Sequence, residues 1–238
     1  KTTKNHFPYK KLFLFSLPFF GYILFSTLMQ SIDLYFVKAM LSPESAGYYT
    51  ASQNISRILY FGTIAFSSVL LPSISQSVKQ ERFDDARKTI GVMLRAVLLI
   101  ITPLIAIIAA TSKELLTFLY STIYVPAGDS LEILSLSFGF FTLFTIMCTI
   151  LIAVGKPMIP FMLAIVGLIL NALFCFFLIP YLSLAGAASA GVISNSIILC
   201  LGAIIVYRQL HTLLPVKTVT KIISISLLIF FSTRLFVI

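Results

Sequence analysis

The sequence predicts an all-α polytopic membrane protein with about seven transmembrane helices. Of its 238 residues, 59% are hydrophobic and only 11% are charged, against about 25% charge in soluble domains, and the mean hydropathy is +1.04. Long charge-free runs are bounded by basic residues, and the longest, Pro157 to Tyr207, contains no charged side chain. The 22 Phe and 10 Tyr suit lipid contact and interfacial belts, with Tyr standing in for the absent Trp.

A membrane helix needs about 20 apolar residues, so the charge-free runs set the spans. The first covers Leu12 to Ile32 and is extended by Asp33 to Met40; Pro18 removes a backbone donor near its start and predicts a kink. In the turn Leu41 to Ala46, Ser42 is placed to cap the next helix and Pro43 to open it. The second helix runs from about Gly47 to Val78, with Pro72 near its end. The mixed-charge run Lys79 to Lys88 reads as the solvated start of the third helix, which crosses between Thr89 and Thr111 and carries Pro103, a second expected kink. Lys113 to Tyr120 is too short to cross and reads as an amphipathic interfacial helix. The fourth span is Ala127 to Val154, followed by the tight turn Gly155-Lys156-Pro157. Pro157 to Tyr207 is long enough for two spans, divided at Leu178 to Ala188, and Lys221 to Ile238 begins a seventh.

With the N-terminus in the cytoplasm, every Lys and Arg except Lys38, Arg57, Lys113 and Arg234 falls in or beside a cytoplasmic segment, which is the positive-inside bias. The net charge of +9 is thereby explained without nucleic acid, and the expected location is the cell membrane. The chain opens on Lys1 and carries no signal-peptide cleavage site, so it reads as part of a longer protein. Cys148, Cys175 and Cys200 lie inside apolar runs and are odd in number, which points to packing rather than disulfides or metal. His6 and His211 lie in polar segments with no partner at ligand spacing. No Ser/His/Asp constellation, glycine-rich phosphate loop or paired catalytic carboxylates occur, so neither an enzyme nor a cofactor is expected.

The candidate functional residues surround the stretch Ser31 to Arg57. At about 1.5 Å per residue, Asp33 and Arg57 both lie roughly 10–20 Å below the outer boundary, where charges are costly and mark either function or a structural pair. The two readings are an ion-binding or protonatable carboxylate with a basic partner, and an ion pair between neighbouring helices. Gln30, Gln53 and Asn54 would enlarge the same polar cluster, and Lys38 adds a second cation. Asn171 and Asn195 are single polar residues in the fifth and sixth spans, suited to interhelical hydrogen bonds or to cavity lining. Gly186 to Gly191 is a small-residue stretch for close helix packing. Arg95 is placed to snorkel to headgroups or to face a vestibule.

Asp33 followed by the turn Leu41 to Tyr49, Pro72 before a basic loop, Gly155-Lys156-Pro157, and Leu178 to Pro180 leading to Gly186 to Ala188 occur in one order across six spans. The set resembles the polysaccharide-exporter branch of the multidrug/oligosaccharidyl-lipid/polysaccharide (MOP) flippase superfamily, over about Leu12 to Leu210. The resemblance implies the C-terminal lobe of a two-lobe transporter, with six helices in residues 12–210, a basic cytoplasmic segment in 1–11, and a linker and additional helix in 211–238. It further implies alternating access, ion-coupled export of lipid-linked oligosaccharide or polysaccharide precursors, and an N-terminal lobe outside this sequence.

Two other function classes stand beside this one. A drug or cation antiporter of the same superfamily would show a cavity rich in carboxylates and aromatics, and Asp33 is its one embedded carboxylate. A membrane scaffold or sugar transferase would present carboxylate or His clusters in loops, whereas Asp84 and Asp85 sit among bases as in a solvated helix.

Overall fold

In the computed structural model the described residues are 9–210 and 216–237, all helical or in short connections. His6, His211 and most of the expected basic segment 1–11 lie outside them. The elements are α1 (Tyr9–Met29), α2 (Ile32–Met40), α3 (Pro43–Ser56), α4 (Ile58–Lys79), α5 (Phe83–Ala110), α6 (Ser112–Leu119), a 3₁₀ turn (Thr122–Ala127), α7 (Gly128–Ala153), α8 (Met158–Leu210) and α9 (Val216–Val237). Five segments are long and apolar enough to cross a membrane: Ser16–Met40, Pro43–Lys79, Phe83–Ala110, Thr122–Ala153 and Met158–Leu210. This is the helical architecture that the runs of apolar residues predict.

The helix ends follow local chemistry. The Ser42 side chain accepts from Ser45 N and Pro43 opens α3, as its type and position dictate. Gly155 turns the chain between α7 and α8 at φ +85°, a conformation that glycine adopts without strain. Between 113 and 120 the expected short helix is present as α6.

The interruptions within the first two spans fall at residues other than proline. Helices α1, α4 and α5 run through Pro18, Pro72 and Pro103. The first span is interrupted at Gln30 and Ser31, and the second at Arg57, which ends α3 and starts α4. As a straight rod the 53 residues of α8 would reach about 80 Å, far beyond a bilayer. Instead Ser183 leaves the helical region at φ 51° and ψ −126°. The arms 158–182 and 184–210 run antiparallel: Lys156 donates to Gln209 beside one end, and Ile198 sits beside Gly167 further in. Two spans are therefore present, as expected. A Cβ on Gly186 would lie 2.4 Å from the Leu178 carbonyl oxygen, so the fold back at Ser183 depends on the missing side chain.

Helix α7 is the centre of the packing, with 83% of its most apolar window buried against 22–33% for the other spanning segments. It contacts α3, α4, α5 and α8. Its buried hydroxyls would be costly in an apolar core, but they bond to carbonyls in their own helix: Thr142 to Phe138 at 2.8 Å and Thr145 to Thr142 at 2.7 Å. Thr142 also reaches the Leu59 carbonyl at 3.3 Å, and Ser67 meets Thr149 at 3.1 Å, joining α4 to α7. Phe20, Phe61, Phe176 and Tyr181 are exposed on the outside, as a lipid-facing surface requires. Cys148 and Cys175 are buried, whereas Cys200 is exposed, so only the first two act as core residues. Arg95 lies on the exposed face of α5.

Candidate functional site

The interruptions at Gln30–Ser31 and at Arg57 lie side by side, and their polar groups satisfy one another. A helix break at membrane depth frees backbone groups that water cannot reach, so side chains must supply partners. The Gln30 carbonyl accepts from Gln53 Nε2 at 3.0 Å and from Arg57 Nη2 at 3.3 Å. Arg57 Nη2 also lies 3.3 Å from Ser31 Oγ and from Gln53 Oε1.

Asp33 opens α2 just beyond the break and is buried. Its Oδ2 accepts from the Tyr49 hydroxyl at 2.7 Å, and its Oδ1 accepts from Gln53 Nε2 at 3.1 Å and from Leu34 N at 2.9 Å. The carboxylate thus has three neutral donors. No ion pair joins it to Arg57 within 4.0 Å among the described residues. Of the two readings, the direct ion pair is not formed: the amide of Gln53 bonds both Asp33 and Arg57. Arg57 itself is half-buried, with Nε enclosed and unpartnered.

Tyr49 was not among the sequence candidates, although its spacing gave a signal. Tyr49, Gln53 and Arg57 follow one another at i, i+4 and i+8, which places them on one face of a helix. That face meets the Gln30 and Asp33 end of the neighbouring span.

Asn171 and Asn195 reach the same region from the two arms of α8. Asn171 Nδ2 donates to the Met29 carbonyl at 3.4 Å, and Asn195 Nδ2 donates to the Ser137 carbonyl at 3.2 Å and to Ser137 Oγ at 3.1 Å. Both make interhelical hydrogen bonds, and both line a cavity of about 10 Å³ shared with Gln30 and Asp33. Asn195 Oδ1 is buried without a partner. A polar space of this size accommodates about one water-sized species.

Lys38 and Asn54 stand apart from this cluster. Both are exposed, and both line a separate cleft of about 360 Å³ with Tyr120 and Tyr124, near the turn between α2 and α3. Asn54 is adjacent to Gln53 in sequence, yet it points to the other side of α3, where its Nδ2 donates to the Tyr120 hydroxyl at 3.4 Å. Among the described residues no group of three or more His, Cys, Asp and Glu could hold a metal ion.

The architecture, with its interrupted helices around a buried carboxylate, defines a helical multi-pass membrane protein. Residues 18–177 match the MatE family model, and the chain belongs to the MatE family. The lipid II flippase MurJ in its inward closed conformation shares the fold at a TM-score of 0.75 and 22% identity, with 98% of this chain and 49% of that one covered. The Vibrio cholerae MATE transporter VcmN in its bent form does so at a TM-score of 0.74 and 19% identity, covering 95% and 54%. An uncharacterized membrane protein of Methanocaldococcus jannaschii is 26% identical over 143 residues, which is 60% of this chain and 28% of that protein. The chain therefore spans about half the length of the solved structures it matches and less of the curated relative.

Proposed function

We propose that the chain is one lobe of a flippase of the polysaccharide-exporter kind, which moves lipid-linked oligosaccharide or polysaccharide precursors across the cell membrane by alternating access coupled to an ion. Residues 12–210 form the lobe, 211–238 add a linker and a further helix, the N-terminus is cytoplasmic, and a second lobe completes the transporter. The observation that carries this reading is Arg57. It is a guanidinium among membrane helices, bonded to neutral oxygens and with no carboxylate within 4.0 Å among the described residues. A cation at this depth without a direct carboxylate partner is costly, and an anionic phosphate-linked headgroup entering the transport path would offset it. The likeness to a lipid II flippase supports the same substrate class.

Asp33 supplies the ion side. It lines the small cavity together with Asn195, whose Oδ1 is buried without a partner, so the site holds oxygen acceptors for a proton or a cation. Movement of α2 against α3 would alter its contacts with Tyr49 and Gln53, and its occupancy would change with the side to which the cavity opens.

The test is a deletion of the gene for the full-length protein. The expected result is loss of surface polysaccharide with accumulation of the lipid-linked precursor, restored by the wild type and not by Arg57→Gln. Normal surface polysaccharide in the deletion strain overturns the proposal. The likeness to the MATE transporter VcmN favours a second reading, drug or cation antiport, for which the same strain would gain drug sensitivity with unchanged surface sugars.

A further inference from the structure

We propose that the cleft beside the α2–α3 turn is a binding site for a sugar ring bearing an anionic group; the class of ligand rests on the flippase reading above. Its volume of about 360 Å³ lies at the lower end of the range of small-molecule sites, about 300–1,000 Å³, which suits one or two sugar rings.

Three features of different origin converge on this ligand. The floor is a stripe of α3 in which Gly47 leaves open space: a Cβ built there would meet nothing within 4 Å. One wall is aromatic. Tyr120 and Tyr124 line the cleft with their ring centroids 5.3 Å apart, and Tyr48, outside the lining, packs edge-on against Tyr124 at 5.6 Å. The negative face of an aromatic ring attracts weakly positive C–H edges, and a pyranose presents such edges on its flat side. Lys38 lines the same cleft and has no carboxylate within 4.0 Å among the described residues. The nearby Glu44 accepts instead from the Tyr48 hydroxyl at 2.7 Å.

Tyrosines that serve only as an interfacial belt face lipid singly and need no cavity. Here Tyr120 and Tyr124 line one open cleft with Lys38, and Asn54 bonds the Tyr120 hydroxyl. Asn54 and Thr50 then offer amide and hydroxyl groups to sugar hydroxyls, and Lys38 pairs with the anion.

The experiment uses the full-length protein in phosphatidylcholine nanodiscs, probed with N-acetylglucosamine-1-phosphate, N-acetylglucosamine and inorganic phosphate by saturation-transfer NMR and calorimetry. The sugar phosphate binds more tightly than either part, with transfer to its ring C–H protons. Lys38→Gln weakens it about fivefold, the scale of one exposed charge contact, and leaves the neutral sugar unchanged. Gly47→Leu fills the cleft and removes binding without lowering the melting temperature, because leucine is the better helix former. Binding that survives Gly47→Leu overturns the site. Inorganic phosphate binding as tightly as the sugar phosphate, or loss of sugar-phosphate binding when phosphatidylglycerol is added, overturns the sugar assignment in favour of a phosphate or lipid-headgroup seat. Normal polysaccharide export in the deletion strain would remove the flippase reading and leave a Gly47-dependent sugar site standing. Blocked export without sugar binding would remove the site alone.

Discussion

Asp33 and Arg57, the two charges that the sequence places at one depth, do not form an ion pair; the amide of Gln53 lies between them. It donates to Asp33 Oδ1 at 3.1 Å and accepts from Arg57 Nη2 at 3.3 Å. The direct partner of the carboxylate is Tyr49, at 2.7 Å. Each charge therefore keeps capacity for an outside ligand, which a closed pair would lack.

Stability should report this connectivity. A double-mutant cycle between Asp33→Asn and Tyr49→Phe is expected to give a coupling of about 1 kcal/mol or more, because a buried bond is broken directly. The cycle between Asp33→Asn and Arg57→Gln should give less, since that coupling passes through Gln53. Unfolding of the purified protein in detergent measures both, and the reverse order would mean that the charges interact directly.

Transport should separate from folding at Asp33. In Asp33→Asn the side chain keeps its size, so the protein is expected to insert and fold, while ion-coupled transport falls by about an order of magnitude or more. Transport at the wild-type rate by Asp33→Asn would move coupling to the other lobe.

Two glycines of α8 should differ in tolerance. A Cβ on Gly186 meets the Leu178 carbonyl oxygen at 2.4 Å, whereas one on Gly191 meets Ser137 Oγ at 2.6 Å. Backbone cannot step aside, so Gly186→Ala should cost about 1–3 kcal/mol as an overpacking change. Gly191→Ala should cost less, near the value of the Asn195 to Ser137 hydrogen bond that a rotated hydroxyl gives up, about 1 kcal/mol. Thermal denaturation of the two variants checks the order.

Ser183 holds a positive φ of 51° between the arms of α8. Relief of that strain by Ser183→Gly should raise stability by about 1 kcal/mol, read as a higher melting temperature. A lower one would mean that the serine side chain, rather than the backbone, shapes the turn.

Among the testable features, those set by short-range chemistry were legible in the sequence. The spans follow from the bilayer's demand for about 20 apolar residues; the α3 cap at Ser42 and Pro43 and the turn at Gly155 follow from side chains acting on their own backbone. Asp33, Gln30, Gln53 and Arg57 were recognisable as one polar group because each is costly alone in an apolar setting. What remained hidden depends on contacts between helices. The interruption at Gln30–Ser31 carries no proline or glycine, and its freed carbonyl is satisfied by the side chains of Gln53 and Arg57 from the neighbouring span. The sequence placed Asn54 beside Gln53 but did not give the side of α3 on which its side chain ends. That side is decided by which face of α3 packs against α7 and which meets the 3₁₀ turn, a choice made by tertiary packing because both faces carry small and polar residues alike.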